Sequence, residues 1–354
     1  MSPSPTWLVS ILGVLGLLTT RDVTARTPRL DVRLVTDEAD AVLAILDKRA
    51  AGSPVQESEW LRLFQSEGYQ RLKQREASLQ RAFEDSSFKS FILSPGLQDR
   101  RAALHAALAK WANVDLATAA RRAFAYLPEQ ASIRVKVYPS IKPRTNTFVF
   151  EPRVDPAIFY YLHPAVSPAK FENTLIHEFH HIGHASACPE PTLDARVEDR
   201  NTELAVAWMG GFAEGRAVLA AAGATDVHPH ATSDSSERAV WERDVANVER
   251  DMRRLEEFFL ALAAGTLGEE EQNCRGMSFV NTETVPQGPF YTVGHVMART
   301  IEAQLGRDRL VQSSCDARTF LSDYNQAAAR FNRTADRQLP LWSDALLRRL
   351  RSQR

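Results

Sequence analysis

The sequence predicts an α+β protein that is mainly α-helical, and three observations carry that prediction. Apolar residues recur at helical spacing over long stretches, among them 31–126, 235–263 and 292–350. Short segments that alternate between apolar and polar side chains occur just before residue 168. A histidine-rich segment with one apolar face follows them. We therefore expect one small sheet packed among many helices.

The N-terminus carries an apolar run at residues 7–18 that is too short to span a bilayer. It is typical of the central region of a signal peptide, and small side chains at 23–25 would allow cleavage after Ala25. We expect residues 1–25 to be a signal peptide, the protein to be exported to the periplasm or medium, and no stable membrane insertion after cleavage. Because Lys and Arg do not precede the apolar run, an uncleaved anchor is the alternative.

The composition is that of a globular protein with one large or two modest domains: 354 residues, 44% of them hydrophobic, with a formal net charge of -1. That charge balance argues against a nucleic-acid or anionic-membrane partner. Charged amphipathic segments fill 31–126, which we expect to be entirely helical. The predicted organisation is a helical N-terminal subdomain at 26–126 and a second domain at 127–354.

Three segments before the histidine-rich helix are candidate strands. Residues 133–138 alternate apolar and polar side chains, as a half-buried strand does, and 147–150 is a second short candidate. Residues 157–162 fit either a third strand or the start of a helix. A small sheet is therefore expected immediately before the helix described next.

Residues 177–181 read His-Glu-Phe-His-His, an HExxH sequence. His177 and His181 are four residues apart, so a helix places both imidazoles on one face. Glu178 lies about 100° around the helix from His177, beside that face. The opposite face is apolar, with Leu175, Phe179 and Ile182.

The helix that carries this sequence has clear ends. Ser167 and Pro168 are a good N-cap and first-turn pair, and the helix is expected to end before Cys188 and Pro189. The two histidines therefore lie in the middle of a buried helix. Two neutral imidazoles aimed at one point are metal ligands, and the adjacent Glu178 is a natural general base for an activated water. Zinc is the expected ion, with other divalent ions as alternatives.

A catalytic zinc site needs a third protein ligand, and a long Ala-rich helix predicted at 196–222 offers one. Glu214 is the main candidate, because a carboxylate in apolar surroundings needs a compensating charge and neighbouring glycines allow close approach. Glu203 lies on nearly the same helical face, but 11 residues separate the two glutamates, roughly 16 Å along a helix. His184 and Asp194 are further alternatives.

An HExxH helix followed by a helix that contains Trp208 and ends in Glu-Gly-x-Ala resembles the gluzincin metallopeptidases. The resemblance covers roughly 130–310 and extends to uncharacterised bacterial zinc-dependent peptidases. It implies zinc held by His177, His181 and Glu214, a peptide or protein substrate, and an edge strand beside the cleft. The chain departs from well-known members in its longer spacing between the second histidine and Glu214.

A later segment, Gly-Pro-Phe-Tyr-Thr-Val-Gly-His at 288–295, is similar to segments of those zinc-dependent peptidases. Gluzincins commonly place a Tyr or His opposite the base, where it donates a hydrogen bond to the oxyanion. The resemblance thus implies this role for Tyr291, with His295 as its alternative. An ordinary core tyrosine is the competing interpretation.

Three cysteines lie after the predicted cleavage site, and an exported protein can pair two of them. We expect the pair Cys274–Cys315, with Cys188 free. Two other classes of function compete with a zinc peptidase. One is a catalytically inactive zinc- or peptide-binding relative, and the other is a helical structural protein in which the HExxH sequence is accidental.

Overall fold

The computed structural model describes residues 29–189, 199–282 and 285–351. Its strands are β1 (Leu30–Leu34), β2 (Ile133–Ser140), β3 (Phe148–Phe150) and β4 (Ala157–Tyr161). Its helices before the histidine-rich one are α1 (Asp37–Ala50), α2 (Glu57–Gln65), α3 (Glu67–Ser78), α4 (Asp85–Ile92), α5 (Pro95–Asp99), α6 (Arg101–Trp111) and α7 (Leu116–Phe124). From there on they are α8 (Pro168–Ala187), α9 (Arg200–Met209), α10 (Ala213–Ala222), α11 (Ser235–Ala246), α12 (Val248–Ala263), α13 (Glu269–Ser278), α14 (Pro289–Leu305), α15 (Arg307–Gln312), α16 (Ala317–Asn332) and α17 (Asp344–Leu350).

The four strands form one mixed sheet in the order β1-β2-β4-β3. β2 pairs in parallel with β1 and with β4, whereas β3 pairs antiparallel with β4. In this register Val135 is opposite Val32, and Lys136 is opposite Ala157. The prediction of a small sheet before the HExxH helix is confirmed, and 157–162 proves to contain a strand.

The prediction that 31–126 is entirely helical was wrong at its start, where Leu30–Leu34 forms an edge strand. This segment alternates Leu, Asp, Val, Arg and Leu, a strand pattern that is only five residues long. Its hydrogen bonds go to β2, which lies about a hundred residues later in the chain. The helical pattern that begins just after β1 therefore hid the pairing of β1 with a strand far away in the sequence.

Helix α8 has the predicted bounds. The Ser167 hydroxyl accepts a hydrogen bond from the backbone N–H of Lys170, and Pro168 occupies the first turn. The helix ends at Ala187, before Cys188. Its apolar face is fully buried, with Phe171, Leu175, Phe179 and Ile182 at most 1% exposed. The back of α8 is thus part of a close-packed core, which holds the opposite, histidine-bearing face in place.

The apolar interior consists of two main clusters. The first joins helices of the N-terminal half, the sheet and the back of α8. The second joins α9, α12, α14, α16 and α17. Helix α10 lies between them, since Leu219 and Ala220 belong to the second cluster and Ala221 to the first.

The predicted long helix at 196–222 is in fact two helices. α9 and α10 are separated by a 3₁₀ turn at Gly210–Phe212. Glycine weakens a helix, and a side chain at Gly211 would come within 2.7 Å of the Phe290 ring. The predicted helix at 235–263 is likewise divided, at Asn247, into α11 and α12. The region 292–350 contains parts of four helices, in line with the three or four predicted.

A disulfide bond joins Cys188 to Cys315, with the two Cα atoms 5.1 Å apart, and Cys274 is exposed and free. The expected pair Cys274–Cys315 was therefore wrong. Cys188 directly follows α8, and the fold brings that end of the helix to the turn between α15 and α16. Cysteine spacing along the chain carries no information about this tertiary contact.

The predicted signal peptide at 1–25 lies outside the described residues. Among the helices that the structure describes, none has the length and apolar character needed to cross a membrane.

Candidate metal centre

Three side chains converge where α8 meets α10. The Nε2 atoms of His177 and His181 are 3.0 Å apart, and the Glu214 Oε2 atom is 3.1 Å from each of them. Among the described residues, these three form the one group of His, Cys, Asp or Glu side chains whose donor atoms are close enough to share a metal ion. The three ligands predicted from the sequence therefore lie together.

This donor triangle fits a zinc ion. Two imidazole nitrogens and one carboxylate oxygen are ligand types that zinc prefers, and a catalytic site has three protein ligands. Tetrahedral bonds of about 2.0–2.1 Å place neighbouring donor atoms about 3.3 Å apart. The distances of 3.0–3.1 Å between these atoms are close to that value. The side chains of His177, His181 and Glu214 are only 14%, 21% and 24% exposed, so the site is partly shielded from solvent.

The charges of the three side chains compensate one another. Burial lowers the pKa of His181, but the negative charge of Glu214 and its hydrogen bond outweigh that effect and raise it to about 9. Burial also tends to raise the pKa of Glu214, but His181 and the hydrogen bonds from both imidazoles hold it well below its usual range. Metal binding would therefore have to displace a proton from this group of side chains.

The position of Glu214 depends on a close crossing of α10 and α14. A methyl group at Gly215 would come within 2.1 Å of the carbonyl carbon of Gly294. Two glycines therefore allow the helix backbones to touch. This contact brings Tyr291, one turn before Gly294, to the metal-ligand end of α10.

Tyr291, the predicted hydrogen-bond donor to the oxyanion, lies beside the donor triangle. Its ring stacks on the imidazole of His177, with centroids 6.0 Å apart and planes within 6° of parallel. Burial raises the pKa of Tyr291, and the negative charge of Glu214 and a hydrogen bond to it add to that effect. The hydroxyl is therefore protonated at neutral pH and able to donate a hydrogen bond. His295, the predicted alternative, instead packs against Trp241 with ring centroids 5.3 Å apart.

Glu178 faces a cavity next to the triangle. Its side chain is half-buried, and desolvation by its surroundings raises its pKa. His177, Glu178 and Tyr291 all line this cavity, which has a volume of about 470 Å³. A carboxyl group with a raised pKa that lines a cavity beside the candidate metal ligand His177 is a candidate general base.

The alternative third ligands do not join the triangle. The Nε2 atom of His184 is 2.9 Å from the Ser314 carbonyl oxygen, and burial lowers the pKa of this histidine to about 3. Glu203 pairs with Arg318. Asp194 lies outside the described residues.

Sequence reasoning missed the far wall of the cavity. His230, Glu237 and Trp241 line it, and they come from the loop before α11 and from α11 itself. No motif marks them, because only the tertiary structure brings α11 opposite α8. The expected edge strand is also missing there: among the described residues that line the cavity, none belongs to the sheet.

Comparison with known proteins returned one family. The family model described as "Putative zinc dependent peptidase (DUF5700)" matches residues 60–333, well over half of the chain. The match includes α8, α10 and Tyr291. No curated protein and no solved structure matches the chain.

Proposed function

Because the chain belongs to the DUF5700 family, we propose that it is a zinc-dependent peptidase that hydrolyses peptide bonds at the cavity beside His177, His181 and Glu214. The observation that carries the proposal is the convergence of three donor atoms within 3.1 Å of one another at the edge of that cavity. The half-buried Glu178 in the same cavity adds a base.

The two imidazoles and the Glu214 carboxylate would hold the ion. When bound, zinc supplies Lewis acidity, which makes water a better nucleophile and a peptide carbonyl a better electrophile. The other steps belong to side chains of the protein.

Glu178 acts as the general base and takes a proton from the attacking water. It then delivers that proton to the nitrogen of the departing amine, so the carboxyl group ends the cycle as it began. Its raised pKa suits both transfers, because a carboxyl group with a pKa closer to neutrality both accepts and releases a proton readily.

When substrate binds, the Tyr291 hydroxyl turns from Glu214 to the carbonyl oxygen of the substrate and donates a hydrogen bond to it as negative charge develops there. The stacking of Tyr291 on His177 holds the phenol ring at this position. A preorganised donor of this kind stabilises the transition state more than the ground state.

Export is part of the proposal. The Cys188–Cys315 disulfide supports it, since such bonds persist in oxidising compartments and are rare in the cytosol. The predicted signal peptide at 1–25 is consistent with the same destination. Peptides or proteins outside the cytoplasm are then the expected substrates.

The decisive experiment combines metal analysis with hydrolysis of a quenched-fluorescent peptide library. Wild-type protein should contain one zinc per chain, and Glu178→Gln should retain the metal but lose about 10²–10⁴-fold in rate. Glu172→Gln is a matched control on the same helix, because Glu172 pairs with Arg122 and does not line the cavity.

Each other outcome has a distinct meaning. Full metal-dependent hydrolysis by Glu178→Gln would refute the assigned base. Stoichiometric zinc without hydrolysis by the wild type would indicate a catalytically inactive zinc- or peptide-binding relative. Protein that binds no metal would contradict both.

A further inference from the structure

The cavity at the metal centre extends well beyond the donor triangle. It follows one face of the N-terminal half of α8, from His177 back to Lys170. Seven residues of helix separate these two, which corresponds to about 10 Å. α10 and α11 supply the other walls. The space is therefore long enough for a large amino-acid side chain that starts at the metal end.

The walls of the cavity are mainly apolar. Val218, Val240 and Trp241 line them, and two prolines from neighbouring loops add to them. Val240 is half-buried but is part of neither apolar cluster, so its side chain faces the cavity and not a core. An apolar wall of this kind favours a substrate group that leaves water.

The far end of the cavity carries charge, but the charges are paired. Lys170 of α8 contacts Glu237 of α11 through both carboxylate oxygens. The side chains are 28% and 40% exposed. On the same wall, Arg243 and Asp244 pair at 2.9 Å. Apart from Glu178, every charged side chain that lines the cavity is thus compensated by a neighbour.

We propose that this cavity binds a large uncharged side chain of the peptide, aromatic or branched aliphatic, next to the bond that is cleaved. The Lys170–Glu237 ion pair sets that preference, because each member cancels the charge that the other would present to the substrate. This inference rests on the proposed peptidase function and names the substrate class of the same site.

The physical reason is the cost of leaving charge uncompensated. A charged substrate side chain would lose water on entering the cavity and, beyond Glu178 at the metal end, would find no uncompensated opposite charge there. An apolar side chain loses nothing on the same path and gains from burial. Loss of one member of the ion pair would change this balance, since the remaining charge would attract a substrate group of opposite sign.

The probes are fluorescein-labelled peptides with the sequence Ala-Ala-X-Ala-Ala, in which X is Phe, Leu, Ala, Lys or Glu. We expect the zinc-loaded wild type to cleave the Phe and Leu peptides, next to X, with a kcat/KM on the order of tenfold above the others. Equal values for all five would overturn the proposal.

Charge variants test the ion pair directly. Lys170→Met should improve the Lys peptide about tenfold relative to the wild type, and Glu237→Gln should do the same for the Glu peptide. The double variant should return to the wild-type preference for uncharged X. Glu172→Gln, which removes a charge of α8 outside the cavity, should change none of these ratios. Unchanged ratios in both single variants would show that the pair does not set specificity.

A filling variant tests the location of the bound side chain. Val240→Trp should reduce cleavage of the Phe peptide by about tenfold or more, while the Ala peptide is much less affected. Ala239→Trp adds the same side chain to the adjacent, exposed position, which does not line the cavity, and should leave both peptides unaffected. Equal effects of the two variants would place the substrate side chain elsewhere.

Binding separates this inference from the proposed function. Fluorescence anisotropy with Glu178→Gln protein measures affinity for the same peptides without turnover. If the wild type cleaves nothing but binding discriminates among the peptides, the peptidase proposal fails and the pocket stands. If cleavage occurs without discrimination in either assay, the pocket fails and the peptidase stands. If neither cleavage nor discrimination occurs, both are refuted.

Discussion

Gly215 of α10 and Gly294 of α14 are in direct backbone contact at the crossing of these helices. Glu214 precedes the first glycine by one residue, and Tyr291 precedes the second by one turn. The contact therefore sets the distance between Glu214, the proposed metal ligand, and Tyr291. The two glycines thus position two residues of the proposed site.

Gly215→Ala should disturb this arrangement, because the added methyl group would meet the Gly294 backbone, which cannot move aside like a flexible side chain. Overpacking of this kind costs about 1–3 kcal/mol, and zinc affinity should fall as well. Denaturant unfolding and a competitive zinc titration measure the two effects. Gly210→Ala is the control, since nothing lies within 4 Å of its added carbon. Equal stability of the two variants would contradict the contact.

Glu214→Ala should weaken zinc binding by more than about 100-fold, because loss of partners outside the ligand set already costs 10–100-fold. Glu203→Ala and His184→Ala should retain stoichiometric zinc, since these side chains contact Arg318 and the Ser314 carbonyl instead. Dialysis against a chelating buffer followed by elemental analysis compares the zinc that the three variants retain. Loss of zinc from either control alone would identify a different third ligand.

Tyr291→Phe should lower kcat by about 10²–10³-fold, the usual effect of losing one hydrogen-bond donor to an oxyanion, with little change in KM. The ring would still stack on His177, so zinc content and thermal stability should stay close to those of the wild type. His295→Ala should affect stability more than kcat, because His295 packs against Trp241. An unchanged kcat in Tyr291→Phe would show that Tyr291 has only a structural role.

Glu38 should make stability depend on pH. Burial raises its pKa from 4.5 to about 8, and its Oε2 atom accepts one hydrogen bond from the Ile141 backbone. The folded state therefore holds this proton more tightly than the unfolded state. The resulting stabilisation is complete below pH 4.5 and is lost as the pH rises to about 8.

Glu38→Gln should remove this dependence, because an amide keeps the acceptor and carries no charge. The difference in unfolding free energy, variant minus wild type, should rise by about 2–4 kcal/mol from pH 5 to pH 9. Urea unfolding of both proteins at pH 5 and pH 9 measures this difference. Glu129→Gln, at an exposed position, should show no such difference. Parallel pH profiles for wild type and Glu38→Gln would refute the assignment.

The disulfide should contribute strongly to stability, because it closes a loop between residues 127 apart in sequence. Cross-links of such length stabilise by about 2–5 kcal/mol. Cys188→Ala and Cys315→Ala should each lower the unfolding temperature, whereas Cys274→Ala should not. Thiol titration of unfolded, unreduced protein should find one thiol, and a mass map that joins Cys274 to Cys315 would contradict the structure.

Local helical geometry explains why part of the site could be predicted from the sequence. His177, Glu178 and His181 belong to one helix, so their relative positions follow from its period alone. Glu214 and Tyr291 could be found through the resemblance to gluzincins. The cost of an uncompensated carboxylate in apolar surroundings also pointed to Glu214.

The parts that could not be predicted depend on contacts between distant segments. β1 is too short to stand out beside α1, and it is a strand because β2 completes its hydrogen bonds. Cys315 pairs with Cys188 because the fold brings the C-terminal end of α8 close to Cys315. Trp241 and Glu237 reach the cavity because α11 crosses opposite α8, and no local pattern encodes that crossing.

The donor triangle spans the boundary between the two apolar clusters. Its imidazoles project from the helix whose back belongs to the first cluster, while its carboxylate comes from α10, which packs mainly with the second. A shift of about one ångström between α8 and α10 would move the donor atoms beyond a common bond length to one ion, while both clusters stayed packed. Mild denaturant should then abolish peptide hydrolysis before any spectroscopic sign of unfolding. Loss of bound zinc would report that the two clusters no longer pack correctly against each other.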